Sequence, residues 1–163
     1  MNFPGYDRQA RHSKSSSHTA TSAPAGPDAG PEEAGSDARP IRAVVLEESP
    51  MMLKTLSSIL QERDDVQLIG TATDGYHAVR RVVELAPDLV LMELHLPGMN
   101  GLEATRQIKA RPHAPAVIVV TADDTPERRA AARAAGTDGF VGLRHLFTQL
   151  RTAIRRLFPR PSR

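Results

Sequence analysis

The sequence predicts an α/β fold in which five parallel strands are covered by helices on both faces. Short apolar runs without polar alternation, such as 43–46 and 89–92, are typical of strands that are buried on both sides. Between such runs lie segments whose apolar residues recur at helical spacing and which open on a residue favoured at helix starts. Strands that alternate regularly with helices favour parallel pairing through right-handed crossovers.

The five strand predictions depend on continuous apolarity and on the residues that bound each run. Aliphatic residues dominate the first four runs, and the fifth is a short run with one aromatic residue between two glycines. Turn residues or helix-start residues follow each run. In chain order, the predicted strands are 43–46, 66–72, 89–92, 115–120 and 138–142.

Helices 1 and 2 are predicted from start and stop signals. Ser49-Pro50 begins helix 1, because serine is a favoured cap and proline is tolerated in the first turn. We assign Met51 and Met52 of this helix to the core. Asp74-Gly75 begins helix 2, and Ala86-Pro87 ends it because the residue before proline avoids the helical region. The predicted inner face of helix 2 contains Ala78, Val79, Val82, Val83 and Leu85.

Three further helices complete the pattern. Asn100-Gly101 begins helix 3, which ends before Pro112. Thr125-Pro126 begins helix 4, and Gly136 is its predicted C-terminal cap. Helix 5 is predicted from an apolar stripe at helical spacing. The residues of that stripe are Leu146, Leu150, Ile154 and Leu157.

The predicted folded domain, 41–157, differs in composition from the segments on either side of it. Residues 1–40 are rich in Ser, Pro, Gly and Ala and nearly lack bulky apolar side chains after Tyr6. Such a segment buries too little surface to offset its ordering entropy, so we predict a disordered tail, with a phosphorylated regulatory tail as the alternative. Residues 158–163 form a predicted short polar tail, and no second folded domain fits between Phe158 and Arg163.

Composition excludes several classes of function. The 163 residues include no cysteine, which excludes disulfides and thiolate metal sites. No apolar run approaches the roughly 20 residues that span a bilayer, and the N-terminus lacks the apolar core of a secretory signal. We therefore expect a cytoplasmic protein without a membrane partner. The net charge of +2 does not predict a general nucleic-acid surface.

Carboxylates and a hydroxyl follow the central strands of the predicted sheet. Glu47 and Glu48 follow strand 1, Glu93 follows strand 3, and Thr121 follows strand 4. With the flavodoxin-like strand order 2-1-3-4-5, strands 1 and 3 flank the switch point, where open α/β sheets bind ligands. We expect these side chains to share one crevice. Glu47, Glu48 and Glu93 are oxygen ligands of the kind that Mg²⁺ accepts, although their like charges repel one another.

At this point the sequence resembles a known family over essentially all of residues 41–157: the bacterial response-regulator receiver domain. The resemblance implies a domain with a flavodoxin-like (βα)₅ fold. Such a domain would regulate signalling through protein interactions and would not itself be an enzyme. The segments that carry it are 44–50, 88–101, 119–122 and 136–141.

The resemblance also implies roles for individual residues. Glu93 stands where the family has an aspartate that accepts phosphate from a histidine kinase. Glu47 and Glu48 stand where an acidic pair helps to hold Mg²⁺. Thr121 matches the hydroxyl that ends strand 4, and Phe140 matches an aromatic residue on strand 5 that reports the switch.

Two departures from the family pattern matter most, and the resemblance therefore implies an atypical receiver. Glu93 is one methylene longer than aspartate, which adds about 1.5 Å of reach, and roughly 1 Å of misplacement can cost about a hundredfold in rate. Leu143 stands where the family has a phosphate-binding lysine. Glu93 is therefore interpreted either as a permanent mimic of the phosphoryl group or as part of a silent pocket.

The resulting hypothesis is a stand-alone receiver that acts without phosphorylation on a protein partner, or as a homodimer, through helix 4, strand 5 and helix 5. One alternative is an active phosphoacceptor in a phosphorelay that uses Glu93 and Mg²⁺. Another is nucleic-acid binding through the basic end of the chain, which we regard as a solvated helix face by default. Its arginines are Arg151, Arg155, Arg156, Arg160 and Arg163.

Overall fold

The computed structural model describes residues 39–159 of the chain. The predicted N-terminal tail lies outside the described residues except for its last two positions, and so do residues 160–163 of the predicted C-terminal tail. Within the described range, none of the helices has the length and apolarity that crossing a bilayer requires.

Five parallel strands form one sheet in the order β2-β1-β3-β4-β5, which confirms the predicted fold class and strand order. The central strands are mostly apolar, and their alternate side chains point to opposite faces, so both faces of the sheet require a covering layer. The strands are β1 (Ile41–Leu46), β2 (Val66–Ala72), β3 (Leu89–Met92), β4 (Ala116–Thr121) and β5 (Gly139–Gly142).

Five helices cover the sheet, and four of them begin at the predicted cap residues. The side chains of Ser49, Asp74, Asn100 and Thr125 each accept a hydrogen bond from the backbone N–H three residues later. The helices are α1 (Pro50–Gln61), α2 (Gly75–Leu85), α3 (Gly101–Lys109), α4 (Pro126–Ala135) and α5 (Leu146–Leu157). A short 3₁₀ turn, Leu143–His145, lies between β5 and α5 and was not predicted.

The core is divided between the two faces of the sheet. Ala43 and Val45 of β1 pack with α1 and α5, whereas Val44 and Leu46 pack with α2 and α3. This alternation along one strand is the reason that residues 43–46 of β1 are all apolar and all buried. The sheet is therefore held rigidly from both faces, which fixes the loops at its carboxyl edge.

Two predicted core residues are not in the core. Met51 is 80% exposed, because it is the second residue of α1 and points away from the sheet, while its neighbour Met52 packs against the core. Val83 is 44% exposed because the buried face of α2 is carried by residues such as Ala78 and Val82. Both errors come from runs of adjacent apolar residues, only some of which fit on one helix face.

Candidate functional site

The candidate site lies at the carboxyl edge of β1, β3 and β4. Strand pairing aligns Leu46 with Met92 and Met92 with Val119. The next residues along β1 and β3 are Glu47 and Glu93, and the N–H of Glu93 donates to the carbonyl of Leu46 at 2.9 Å. Register alone therefore brings the predicted acidic positions to one edge.

The Glu93 carboxylate is held by three hydrogen bonds to the same oxygen. Thr121 Oγ1 donates to Glu93 Oε1 at 2.7 Å, and the backbone N–H groups of Leu94 and His95 donate to it at 2.5 and 3.1 Å. The longer side chain thus turns back onto its own loop and joins the end of β3 to the end of β4.

Thr121 is fully buried, and its hydroxyl acts as both donor and acceptor. While it donates to Glu93, it accepts a hydrogen bond from the backbone N–H of Asp123 at 3.2 Å. The position of the hydroxyl is therefore coupled to the start of the β4–α4 loop, 122–125.

The acidic pair after β1 is split between interior and solvent. Glu47 is only 3% exposed, and its Oε1 accepts a hydrogen bond from the N–H of Ser49 at 2.8 Å. Burial raises the pKa of Glu47, and the nearby charge of Glu93 raises it further, against the hydrogen bond from Ser49. Glu48 is exposed. The two neighbours consequently cannot act as equivalent ligands.

The carboxylates are not gathered here into a cluster of three ligands around one point. Glu47 Oε1 is used by Ser49, Glu93 Oε1 is used by three donors, and Glu48 is exposed. Across residues 39–159, no group of three or more His, Asp or Glu side chains is arranged to hold a metal ion. The Mg²⁺ site inferred from the sequence stays a prediction, and we derive no step through it.

Phe140 and Leu143 lie on and just after β5, at the side of the site. Phe140 is partly buried and packs against a small apolar cluster that includes Leu94 and Val119. Leu143 is also partly buried and packs toward the core between the sheet, α1 and α5. An apolar side chain therefore occupies the lysine position, and its packing supplies no charge to the site.

The β4–α4 loop carries ion pairs that sequence reasoning missed. Asp123 Oδ2 is 3.1 Å from His95 Nε2 and 2.7 Å from Arg128 Nε. Asp124 binds Arg129 through two hydrogen bonds. The available signal was the pattern of two aspartates followed five residues later by two arginines, on either side of the predicted cap.

A groove of about 380 Å³ lies beside β5 and α5. Phe140 and Leu157 contribute apolar surface to it, and Arg129 and Arg156 contribute positive charge. On the other side of α5, Arg151 forms an ion pair with Glu62 of the segment after α1. The basic helix is thus partly neutralised and partly open to solvent.

Comparison with known proteins identifies this architecture. Residues 43–155 match the family model of the response regulator receiver domain. The chain is 38% identical over 94 residues to a protein-glutamate methylesterase/protein-glutamine glutaminase of Methanospirillum hungatei, a match that covers 58% of this chain and 27% of that relative. It is 41% identical over 81 residues to the transcriptional regulatory protein LiaR of Bacillus subtilis, covering 50% of this chain and 38% of that relative.

Solved structures agree with the sequence comparison. The response regulator domain of Thermotoga maritima CheB superposes with a TM-score of 0.68 at 28% identity, over 76% of this chain and all of that domain. A LuxR-family response regulator from Aurantimonas gives a TM-score of 0.69 at 27% identity, over 72% of this chain and 84% of that one. Because the chain spans well under half the length of the two curated relatives, the activities in their names are not assigned to it. The fold, the strand order and the matched family model together show that this chain belongs to the response-regulator receiver family.

Proposed function

We propose that this receiver signals without phosphorylation, because Glu93 supplies a permanent negative charge to the switch threonine. The observation that carries the proposal is the 2.7 Å hydrogen bond from Thr121 Oγ1 to Glu93 Oε1. The family resemblance assigns that hydroxyl to the phosphoryl group of an active receiver. A hydrogen bond to a charged acceptor is about twice as strong as a neutral one, so the carboxylate is a suitable substitute.

The same hydrogen bonds count against Glu93 as an ordinary phosphoacceptor. Phosphoryl transfer depends on a placed acceptor oxygen, a metal ion and donors for the transferred group. Here the hydroxyl of Thr121 and the N–H groups of Leu94 and His95 are already used by the acceptor side chain. Leu143 provides no cation that would neutralise a phosphate.

The output of this proposed switch is the surface formed by α4, β5 and α5. Leu94, the residue after Glu93, packs in the same small cluster as Val119 and Phe140. Phe140 in turn lines the groove beside α5. The proposed partner is therefore a protein, or a second copy of this chain, rather than a substrate. The cytoplasmic location expected from the sequence stays a prediction.

Phosphorylation independence is tested by incubating the protein with acetyl phosphate and Mg²⁺ and measuring its intact mass. We expect no gain of a phosphoryl group on the unmodified chain. A gain that disappears in Glu93→Gln would overturn the proposal and would support the competing phosphoacceptor function.

Mimicry is tested by comparing Glu93→Gln with Glu93→Ala. Glutamine keeps the acceptor oxygen and removes the charge, whereas alanine removes both. The ring signals of isotope-labelled phenylalanine report the switch, since the chain has only four phenylalanines. We expect Phe140 to shift in both variants, and farther in Glu93→Ala, while the exposed Phe147 of α5 is the internal control. An unmoved Phe140 in Glu93→Ala would favour the silent pocket.

A further inference from the structure

We propose that Arg129 is a positioning residue that holds Phe140 in place and, through Asp124, makes Phe140 respond to the Glu93–Thr121 hydrogen bond. The inference rests on the proposed function, because it specifies how the state of Glu93 reaches the surface of β5. It assigns roles to two side chains outside the residues that the family resemblance singled out.

Arg129 contacts both Asp124 and Phe140. Its Nε and Nη2 donate to Asp124 Oδ1 and Oδ2 at 2.6 and 2.8 Å, and its Cζ lies 4.6 Å from the centre of the Phe140 ring. Two parallel hydrogen bonds fix the plane of the guanidinium group, and a fixed guanidinium over an aromatic face is a cation–π contact. The orientation of the Phe140 ring is thereby tied to the position of Asp124.

Asp124 is fixed against the far end of β5. A Cβ at Gly142 would collide with the Asp124 carboxylate, so the close approach depends on glycine at this position. The hydrogen bonds from Arg129 hold the pKa of Asp124 below its usual value, with further help from the charges of Arg144 and His145. Asp124 thus remains ionised and paired at neutral pH.

The loop that carries Asp124 starts at the switch threonine. Thr121 Oγ1 accepts a hydrogen bond from the N–H of Asp123 while it donates to Glu93. A movement of this hydroxyl therefore displaces the residue next to Asp124. The contacts run continuously from Glu93 through Thr121, the loop and Arg129 to Phe140, and the inference predicts energetic coupling along them.

The adjacent ion pair is a matched control. Asp123 and Arg128 have the same spacing in sequence, and Arg128 Nε donates to Asp123 Oδ2 at 2.7 Å. That pair faces His95 rather than Phe140, since Asp123 also lies 3.1 Å from His95 Nε2. A lysine at either position keeps the charge but loses the planar fork and its stacking.

The experiment measures the shift of the Phe140 ring signals caused by Glu93→Gln in three backgrounds: the unchanged chain, Arg129→Lys and Arg128→Lys. Thermal unfolding of each variant establishes that it is folded. We expect Arg129→Lys to abolish most of the shift and Arg128→Lys to preserve it. Asp124→Asn, which breaks the same ion pair from the other side, should reproduce the effect of Arg129→Lys.

The possible outcomes are distinguishable. An equal shift in the unchanged chain and in Arg129→Lys would overturn the inference and leave the proposed function standing. Equal loss in Arg128→Lys and Arg129→Lys would overturn it as well, because disturbing either ion pair of the loop would then suffice. If Glu93→Gln does not move Phe140 in the unchanged chain, the proposed function fails and the inference fails with it.

Discussion

At the scale of single residues, the extra methylene of glutamate relative to aspartate changes which groups the side chain at the end of β3 can reach. The carboxylate of Glu93 reaches Thr121 Oγ1 at 2.7 Å and two backbone N–H groups of its own loop. Under the proposed function, this side chain takes the position that a transferred phosphoryl group would occupy. Three donors hold the carboxylate in this position.

We expect the Glu93–Thr121 hydrogen bond to contribute about 1.5 kcal/mol to stability, as bonds to charged groups do. A double-mutant cycle with Glu93→Ala and Thr121→Val, followed by urea unfolding, measures this coupling. Strictly additive effects of the two changes would contradict the assignment.

A second residue-scale prediction concerns the buried Glu47. Its pKa is raised in the folded protein, so the folded state holds the proton more tightly than the unfolded chain, and stability falls as pH rises through the range between the two pKa values. Glu47→Gln should remove this loss and raise stability near neutral pH, with little change at about pH 4. Urea unfolding at the two pH values measures the difference.

Glu48→Gln is the control for Glu47, because it removes a neighbouring charge from an exposed side chain. An identical gain in both variants would indicate relief of general repulsion rather than of burial. A gain at both pH values for Glu47→Gln would likewise contradict a proton-linked cause.

Sequence patterns predicted which residues meet at the carboxyl edge of the sheet, but they did not predict the burial or the hydrogen-bond partners of each residue. Glu47, Glu93 and Thr121 were predictable because each directly follows or ends a buried strand of a parallel sheet. The burial of Glu47 beside an exposed Glu48 depends on how the chain leaves β1, which has no sequence signature. The Asp124–Arg129 pair was missed because its partners are joined by a loop conformation rather than by helical spacing.

At the scale of elements, α3 begins directly against the site. The N–H of Gly101 donates to the carbonyl of Leu94 at 2.8 Å, and a Cβ at Gly101 would collide with the carbonyl oxygen of Glu93. The helix is therefore docked on the backbone of the residue whose side chain binds Thr121. Glycine is required at this position because the backbone of Glu93 leaves no room for a Cβ, not because the dihedral angles are unusual.

We expect Gly101→Ala to destabilise the protein by about 1–3 kcal/mol, since the backbone it would strike cannot move without displacing β3 or α3. Urea unfolding gives the magnitude, and the Phe140 signals show whether the loop after Glu93 has moved. An unchanged unfolding midpoint would contradict the close approach.

The starts of the helices were predictable wherever the sequence contains a capping residue. Ser49, Asp74, Asn100 and Thr125 were predicted as caps and act as caps, because capping depends on a few adjacent residues. The 3₁₀ turn Leu143–His145 was not predicted, since three residues carry no periodicity. The turn begins at Leu143, the position that the family resemblance assigns to a lysine.

At the scale of the whole molecule, the chain has the receiver fold around the carboxyl edge that carries Glu93. The sheet has the family's strand order, and solved receivers superpose on it with TM-scores near 0.7. Because the architecture depends on apolar runs and crossovers, it survives changes at the carboxyl edge. The loss of phosphate uptake that we propose therefore does not require loss of the fold.

We predict that restoring two side chains restores phosphate uptake. In Glu93→Asp with Leu143→Lys, the shorter acid leaves room for the phosphoryl group and the lysine can extend its charged end toward it. Incubation with acetyl phosphate and Mg²⁺ should add one phosphoryl group by intact mass, with less in either single variant. A folded double variant that gains no mass would show that the remaining acidic positions are also inadequate.

The carboxylate bound to Thr121 is part of the polypeptide and not a transferred group. This affects how long a signal from the protein would last. An acyl phosphate decays by hydrolysis, so an ordinary receiver resets itself. No hydrolase can remove a charge that is part of a side chain. Under the proposed function, the strength and duration of the signal follow the abundance of the protein. Synthesis and degradation of the protein then control the signal, in place of a kinase and a phosphatase.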